Sequence, residues 1–493
     1  MGQLPHNCGA TAPQLWGNEN IPCQNKKKGQ KNKSKSPTPM STKSNTYSRA
    51  FWVSNTVEMF ERMAYYAIFI VITLYLSNTL GFNDFEASMI SGIFSGALYL
   101  LPLFTGAYAD KIGFRKSLIL AFTLLSLGYL GLGVLPTFLQ SCGLVEYGEH
   151  TQFSGLPDSS LRWLIVPIMV ILVVGGAFIK STISASVAKE TTSENRARAY
   201  SIFYMTVNIG SFTGKSIIDP LRHAIGEHAY IAINYFSAAM TFIALLAVFF
   251  LYRSAQTAGE GKSMREVGRG LVRVFSNGRL VALILIVTGF WIVQQQLYAT
   301  MPKYVIRMAG EAARPGWIAN VNPFVVVVCV GFVTRLMAKR SAITSITIGM
   351  FLIPLSALLM ACGNLFESEL IGGLSNVTLM MIVGIVCQGL AECFISPRYL
   401  EYFSLQAPKG EEGLYLGFSH LDSFLSSILG FGISGILLTK YCPDPALFDS
   451  HEAWQAASAN AHYIWYYFAA IGMVSALLLL LFAYLTRERA QKN

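Results

Sequence analysis

The stretch Gly106-Ala107-Tyr108-Ala109-Asp110-Lys111-Ile112-Gly113-Phe114-Arg115-Lys116 lies between two long apolar segments, 86–105 and 117–139. About 20 apolar residues in a helix are enough to cross the hydrocarbon core of a bilayer. Both flanking segments reach this length and are nearly free of charge. The stretch is therefore predicted to be a short polar turn between two membrane-spanning helices.

Several side chains in this turn have properties that suit a gate. Gly106 and Ala109 allow neighbouring helices to approach closely, and Gly113 permits a tight turn. We expect Asp110 to meet the N-terminus of a neighbouring helix and Arg115 to pair with a carboxylate. Such contacts would hold the inner side of the protein closed while the outer side is open.

Apolar segments continue along the rest of the chain. Of the 493 residues, 53% are hydrophobic and only 13% are charged, which is about half of the soluble average and too little charge to cover a soluble protein. The other long segments are 64–80, 163–179, 231–252, 280–293, 324–334, 344–362, 376–388 and 465–484, and 199–219 and 412–439 are apolar with polar interruptions. The sequence thus predicts twelve spans.

Lysine and arginine are concentrated on alternate connections. They are frequent before the first span, after spans two, four and eight, in 253–279 and at the end of the chain, whereas 78–85 and 139–161 contain neither. This positive-inside pattern places both termini in the cytoplasm and requires an even number of spans. The chain is therefore expected to be an integral protein of the cell membrane, either plasma or inner.

The long connection at 253–279 divides the predicted spans into two halves. It is either a short amphipathic helix on the inner leaflet or a solvated basic linker. The fold class is all-α, with twelve transmembrane helices in two six-helix bundles. The predicted organisation is a disordered basic cytoplasmic tail at 1–48, an N-terminal bundle at 49–252, the cytoplasmic linker at 253–279, a C-terminal bundle at 280–486 and a cytoplasmic tail at 487–493.

The 106–116 turn resembles the signature of the major facilitator superfamily. The resemblance implies the major facilitator fold, in which a substrate site lies between two bundles near the middle of the membrane.

The first span contains an unusual charged cluster. Glu58, Glu61 and Arg62 are spaced to share one face of a helix. Charged residues inside a span are costly and therefore point to function. Two carboxylates beside one guanidinium leave one carboxylate incompletely compensated, so the cluster is a candidate proton-binding site. The alternative is a cluster that merely anchors the helix near its cytoplasmic end.

Glu58, Glu61 and Arg62, followed by Tyr65-Tyr66, resemble the span-one motif of the proton-dependent oligopeptide transporter family. The matching motifs elsewhere are Gly175-Gly176-Ala177-Phe178-Ile179-Lys180, Phe203-Tyr204-Met205-Thr206-Val207-Asn208-Ile209-Gly210, Asn322-Pro323, and Glu392 with Ser396-Pro397. The resemblance extends over roughly 50–485.

The resemblance implies roles for these residues. Lys180 would act in proton coupling with the span-one cluster and also bind the substrate carboxylate, while Glu392 would receive the peptide amino group. The remaining residues implied to line the pocket are Tyr65, Tyr66, Tyr99, Asn208, Asn322 and Ser396. For Lys180 the alternative is a lysine that extends to the membrane surface.

Two positions depart from the family pattern. Peptide-carrying members have a second arginine where this chain has Phe69, and an acid in span seven where the run 290–296 ends in three glutamines. In the family these two groups face each other, so their joint loss keeps the charge balanced. Trp291, Gln294 and Gln295 of this run are candidate substrate-binding residues.

Span eleven offers a replacement for the missing acid. Histidine side chains ordinarily titrate near neutral pH, so His420 is a candidate proton-coupling residue, whereas Asp422, two positions on, should point to a different face. In span five, Lys215 and Asp219 stand at i and i+4 and are expected to neutralise one another near the outer surface.

The expected function is proton-coupled symport of small peptides or peptide-like solutes by alternating access. The alternatives are a carrier of non-peptide organic or inorganic anions, and a sensor that binds a ligand without transporting it. No nucleophile–base pair or metal-ligand cluster indicates an enzyme, and no pore-loop motif indicates a channel. We expect no cofactor other than the coupling proton, no nucleic acid partner, and a monomer surrounded by lipid.

Overall fold

The computed structural model describes residues 47–148, 151–190, 196–253, 264–310, 312–365, 374–407 and 412–492. The predicted tail at 1–48 therefore lies almost wholly outside the described residues. The helices of the first half are α1 Arg49–Phe69, α2 Ile72–Leu74, α3 Asp84–Leu100, α4 Pro102–Ile112, α5 Phe114–Ser141, α6 Ile165–Lys189, α7 Arg196–Ile225 and α8 Ala229–Leu251. A small antiparallel hairpin, β1 Val145–Glu146 and β2 Gln152–Phe153, connects α5 to α6.

The rest of the described chain is also helical. A connecting helix, α9 Met264–Phe275, precedes the second half. The helices of the second half are α10 Gly278–Gln294, α11 Gln296–Ala299, α12 Met301–Ala309, α13 Pro315–Met337, α14 Ala342–Ala361, α15 Asn376–Gln406, α16 Glu412–Ser419, α17 Leu421–Tyr441, α18 His451–Ser458 and α19 Tyr463–Lys492. Helix α19 continues through the predicted tail at 487–493 as far as Lys492.

Ten stretches of the described residues are long and apolar enough to cross a membrane. The total rises to eleven if α1 and the bent segment Ile72–Thr79, which turn by 47° relative to each other, form one span. One stretch, Ile202–Leu251, contains two helices. The count of twelve therefore stays a prediction, and it requires this stretch to cross twice.

The outer faces of the helices carry large exposed apolar side chains. Phe250 is 65% exposed, Phe324 65% and Phe332 70%. A soluble protein rarely exposes such contiguous apolar surface, whereas a bilayer covers it. The chain is an integral membrane protein.

The linker between the halves contains an ordered helix. In α9, Val274 is buried and Phe275 packs with its ring centroid 6.0 Å from that of Phe418. The helical interpretation of 253–279 therefore holds for residues 264–275, and the helix contacts α4 of the first half as well as α10 and α16 of the second half. Its relation to the inner leaflet stays a prediction.

The two halves meet along α3 with α17 and along α7 with α13. Helix α3 begins with a reciprocal cap in which Asn83 Oδ1 accepts from the Glu86 amide at 2.9 Å and Glu86 accepts from the Asn83 amide at 3.1 Å. This cap fixes the first turn of α3, including Asp84, next to the second half.

Helix α7 packs tightly on α1 because of a glycine. A Cβ atom on Gly214 would lie 2.3 Å from the Met63 carbonyl oxygen, which belongs to rigid helical backbone. We expect Gly214→Ala to lower the stability of the purified protein by about 1–3 kcal/mol, since overpacking has this typical cost. A thermal unfolding scan in detergent measures the effect.

Gly331 provides the matched control. It is also a glycine inside an apolar helix, and no atom lies within 4 Å of a Cβ built on it. Gly331→Ala should leave the melting temperature unchanged or slightly raised. Equal melting temperatures for the two variants would contradict the tight α1–α7 contact.

Candidate functional site

The charged cluster of α1 is buried in the first half. Glu58, Glu61 and Arg62 are 5%, 2% and 7% exposed. Arg62 Nε lies 3.2 Å from Glu58 Oε1, and the guanidinium also pairs with Glu61. Glu58 Oε2 has no hydrogen-bond partner among the described residues. One guanidinium thus serves two carboxylates, as the spacing predicts, and Glu58 keeps an oxygen free to accept a proton.

Lys180 projects from α6 into the same region. Its Nζ lies 3.8 Å from the centroid of the Tyr99 ring, which is cation–π distance. A small cavity is lined by Lys180 together with Glu61, Arg62 and Tyr65. In the described part of the chain Lys180 forms no ion pair within 4 Å, because Arg62 already holds both carboxylates. The Lys180 side chain is half-buried and directed into the interior of the first half. It does not extend to the membrane surface, which was the alternative.

Aromatic rings form the wall between the halves. Tyr66 lies 6.3 Å from Tyr298 of α11, measured between ring centroids. Phe69 stacks on Tyr65 at 5.0 Å and contacts Tyr298 at 4.9 Å and Phe431 at 5.9 Å. Where the family pattern has an arginine, this chain therefore joins its two halves through an aromatic cluster.

Glu392 of α15 is the half-buried acidic group that the sequence predicts for the second half. Its Oε2 accepts from Gln294 Nε2 at 3.0 Å and from Asn322 Nδ2 at 3.3 Å. Both donors are neutral amides, and no cation in the described residues pairs with Glu392 within 4 Å. The carboxylate is within electrostatic reach of Tyr66 and Tyr298. It therefore faces the aromatic wall without a counter-ion of its own.

The other predicted pocket residues are distributed around Glu392 and the wall. Gln295 Nε2 donates to Ser427 Oγ at 3.2 Å, a contact with α17 behind the pocket. Asn208 is half-buried and donates to the Tyr204 carbonyl of its own helix at 2.8 Å. Ser396 Oγ is buried without a hydrogen-bond partner in the described structure. Gln294 thus contacts the candidate binding residue Glu392, whereas Gln295 contacts Ser427 in the packing between α10 and α17.

His420 and Asp422 point in different directions, as their spacing predicts. The His420 side chain is exposed and its ring lies 6.3 Å from that of Tyr99, so it borders the region of Lys180. Asp422 is 2% exposed, accepts from Ser423 Oγ at 2.9 Å and lies beside Trp291. The proton-coupling role of His420 stays a prediction.

The expected neutralisation of Lys215 by Asp219 is wrong. Asp219 accepts from the backbone amides of Gly316 at 3.3 Å and Trp317 at 2.8 Å, at the first turn of α13. An N-terminal turn with unpaired amides attracts a carboxylate. Lys215 instead points toward Tyr66, with Nζ 5.4 Å from the ring centroid.

The predicted gating turn is only partly as expected. Gly113 has φ +85°, so it makes the turn between α4 and α5, and Gly106 packs on Ser181 of α6. Arg115 Nη2 donates to the Phe249 carbonyl at the end of α8 at 2.7 Å. Among the described residues it thus binds a helix C-terminus, which the negative end of the helix dipole favours, and its pairing with a carboxylate stays a prediction. The side chain of Asp110 lies outside the described residues.

A second charged cluster joins the halves at the side predicted to be extracellular. Asp84 Oδ1 lies 2.7 Å from Lys303 Nζ, and Asp84 Oδ2 lies 2.7 Å from Arg307 Nη1. Arg307 also contacts Asp444 at 3.1 Å, and a cavity of about 570 Å³ lies over this cluster. Sequence reasoning missed it, although Lys303 and Arg307 stand at i and i+4 directly after an apolar span.

These features lie in a chain whose family can be assigned directly. The profile described as Major Facilitator Superfamily matches residues 56–372. The chain belongs to the Major Facilitator Superfamily. The profile spans the turn at 106–116 and all three charged residues that line the first-half cavity, Glu61, Arg62 and Lys180. The Major Facilitator Superfamily resemblance drawn from that turn is therefore confirmed.

Several of the similar proteins carry peptide-transporter names, and others are named as a multidrug resistance protein and as an uncharacterized MFS-type transporter. Dipeptide and tripeptide permease B of Salmonella typhimurium is 24% identical over 447 residues, covering 78% of this chain and 85% of the permease. Dipeptide and tripeptide permease A of Escherichia coli is 21% identical over 449 residues, covering 79% and 84%. The predicted resemblance to proton-dependent oligopeptide transporters is confirmed by these similarities.

A solved structure extends the comparison to the fold. This structure is described as giving structural insights into substrate recognition in proton dependent oligopeptide transporters. It superimposes on the present chain with a TM-score of 0.65 at 17% sequence identity. The match covers 89% of this chain and 99% of the solved chain. The fold of this chain is thus that of Major Facilitator Superfamily carriers over nearly its whole described length.

Proposed function

We propose that the chain is a proton-coupled secondary carrier of small peptides or peptide-like zwitterions. Its two halves would rock around a central site, so that the site opens to one side of the membrane at a time. The two permeases to which it is similar are named for dipeptides and tripeptides, which supports this substrate class.

One observation carries the proposal. Glu392 in the second half is held in position by the neutral amides of Gln294 and Asn322, so its negative charge remains available to a ligand. Lys180 in the first half is likewise without a carboxylate partner in the described residues. A zwitterion has an ammonium group that can bind Glu392 and a carboxylate that can bind Lys180. Binding it neutralises both halves together and draws them toward each other.

Proton coupling is assigned to the cluster of Glu58, Glu61 and Arg62. Protonation of a carboxylate would loosen its ion pair with Arg62 and change the field at Lys180, which borders the same cavity. The proton would thereby alter the affinity of Lys180 for the substrate carboxylate.

Glu61→Gln tests this coupling. We expect the variant to lose accumulation driven by an inward acid gradient and to keep counterflow exchange, because glutamine preserves the shape of the side chain but cannot release a proton. Glu452→Gln, at an exposed position of α18, is the matched control. Gradient-driven accumulation by the Glu61→Gln variant at the unmodified rate would argue against the assignment.

The distribution of positive charge supports the proposed orientation. With lysines and arginines concentrated on alternate connections, both termini would lie in the cytoplasm and the Asp84–Lys303–Arg307 cluster on the outer side. The carrier is proposed to work as a monomer in the plasma or inner membrane.

A carrier of non-peptide anions is the second candidate. The observation in its favour is that Phe69 and Gln294 stand where peptide carriers have an arginine and an acid, while Lys180 and Lys215 have no carboxylate partner within 4 Å in the described residues. Counterflow competition separates the two candidates. Competition by dipeptides supports the peptide carrier, and competition by nitrate or simple carboxylates alone supports the anion carrier.

A further inference from the structure

Lys215 is a buried cation that the proposed mechanism has not used. Its side chain is 1% exposed, the same as that of Lys303. Lys303 donates to Asp84 at 2.7 Å and to Ser77 at 2.6 Å, whereas the ammonium group of Lys215 donates to no group in the described part of the chain. Lys215 and Lys303 are therefore equally buried, but only the charge of Lys303 is compensated by an ion pair within the described residues.

Close backbone contacts on both sides fix the position of Lys215. The preceding Gly214 packs on the Met63 carbonyl of α1, where a Cβ would lie at 2.3 Å. On the other side, a Cβ on Gly316 of α13 would lie 2.3 Å from the carbonyl oxygen of Lys215 itself. The backbone is thus held between α1 and α13.

The side chain of Lys215 is directed at the aromatic wall of the candidate site. Its Nζ lies 5.4 Å from the centroid of Tyr66 and 6.0 Å from that of Tyr298. These rings come from opposite halves, so the ammonium group lies at the boundary between the halves. Aromatic faces at this distance stabilise a cation only modestly.

Glu392 is within electrostatic reach of Lys215 but does not pair with it. No ion pair within 4 Å joins the two in the described residues, and Glu392 Oε2 is bound by the amides of Gln294 and Asn322. Asp219, the nearest acid in sequence, is occupied by α13. A buried charge without a partner is costly in a membrane protein and marks function.

We propose that Lys215 is a specificity-determining residue that binds the carboxylate of the substrate. This assignment rests on the proposed function. It adds a second carboxylate-binding cation of the first half to Lys180, and it compensates for the uncharged Phe69 from a different helix. The substrate class is accordingly a small solute with a free carboxylate, whose amino group reaches Glu392 while its carboxylate reaches Lys215.

The test compares two ligands on the purified carrier and its variants. Binding of dialanine and of dialanine amide, which lacks the free carboxylate, is measured by thermal shift or calorimetry. For Lys215→Met we expect the affinity for dialanine to fall at least tenfold and the affinity for the amide to stay unchanged. Lys215→Arg, which retains the charge, should retain most of the preference for the acid.

Lys440→Met is the matched control, because Lys440 is exposed at the end of α17 beside Tyr441. It should bind both ligands as the unmodified protein does. Equal weakening of both ligands by Lys215→Met, or weakening of neither, overturns the assignment while leaving the peptide carrier intact. Failure of the unmodified protein to bind either ligand is a different result, which overturns the proposed function and the assignment with it.

Discussion

Replacing Glu392 with glutamine is expected to reduce dipeptide uptake at least about thirtyfold. The carboxylate is held by Gln294 and Asn322 and has no cation partner within 4 Å in the described residues. Its charge is therefore available for the substrate ammonium group, and removing one partner of a desolvated charge pair costs about 2–5 kcal/mol. Glutamine can still interact with the neighbouring amides, so the loss should fall on the ligand rather than on the fold.

The control for this variant lies on the same helix. Glu401 is exposed near the end of α15 and pairs with Arg398 at 2.7 Å, away from the aromatic wall. Glu401→Gln should transport at the unmodified rate. Uptake and the binding of labelled dipeptide are measured for both variants at equal amounts of folded protein. Normal dipeptide affinity in the Glu392→Gln protein would remove Glu392 from the site.

Replacing Asp84 with asparagine is expected to destabilise the closed outer side of the protein. Asp84 is the partner of Lys303 and Arg307 from the other half, and Lys303 is 1% exposed. Breaking a buried ion pair by removing one partner costs about 3–5 kcal/mol, because it leaves uncompensated charge behind. We expect the Asp84→Asn variant to have a lower melting temperature. We also expect the Phe431→Cys substitution to react faster with a thiol reagent added from outside when it is combined with Asp84→Asn.

A double variant distinguishes this cause from a general defect. In Asp84→Asn with Lys303→Met, the unpaired lysine is gone while Arg307 keeps Asp444 at 3.1 Å. The double variant should recover part of the lost stability. Asp449→Asn, at an exposed position, should have no effect. A double variant that is less stable than Asp84→Asn alone would show that Asp84 does not act by compensating these cations.

The fold was predictable because its signals are local. Membrane spans follow from apolar length, the turn at Gly113 follows from a residue that tolerates positive φ, and the face shared by Glu58, Glu61 and Arg62 follows from helical spacing. Each of these depends on residues close together in the chain. The expectation that Phe69 and the span-seven glutamines jointly replace an ion pair stays a prediction, and Phe69 itself contacts Tyr298 and Phe431.

The parts that were missed depend on contacts between distant segments. The i, i+4 spacing of Lys215 and Asp219 suggested a local pair, but the unpaired amides at the start of α13, nearly a hundred positions away, bind Asp219 instead. Likewise, Asp84 and Arg307 are 223 positions apart. Sequence spacing on one helix cannot reveal which charge a neighbouring helix presents. The cations that remain unpaired could therefore be identified only from the three-dimensional structure.

These long-range contacts divide the charges by role. Asp84, Lys303 and Arg307 compensate one another and hold the halves together at one side. Arg62 compensates Glu58 and Glu61 within the first half. Lys180, Lys215 and Glu392 have no such partners within the described structure. Lys215 and Glu392 lie near the aromatic wall, and Lys180 lines the first-half cavity that Tyr65 of this wall also borders. A ligand that carries both charges completes this set.

Uptake of labelled dipeptides and tripeptides into proteoliposomes tests the central claim most directly, with and without an inward acid gradient. The account predicts accumulation above equilibrium when the gradient is present, and exchange without accumulation when it is absent. No peptide flux under either condition, with nitrate or a simple carboxylate taken up instead, would contradict the account.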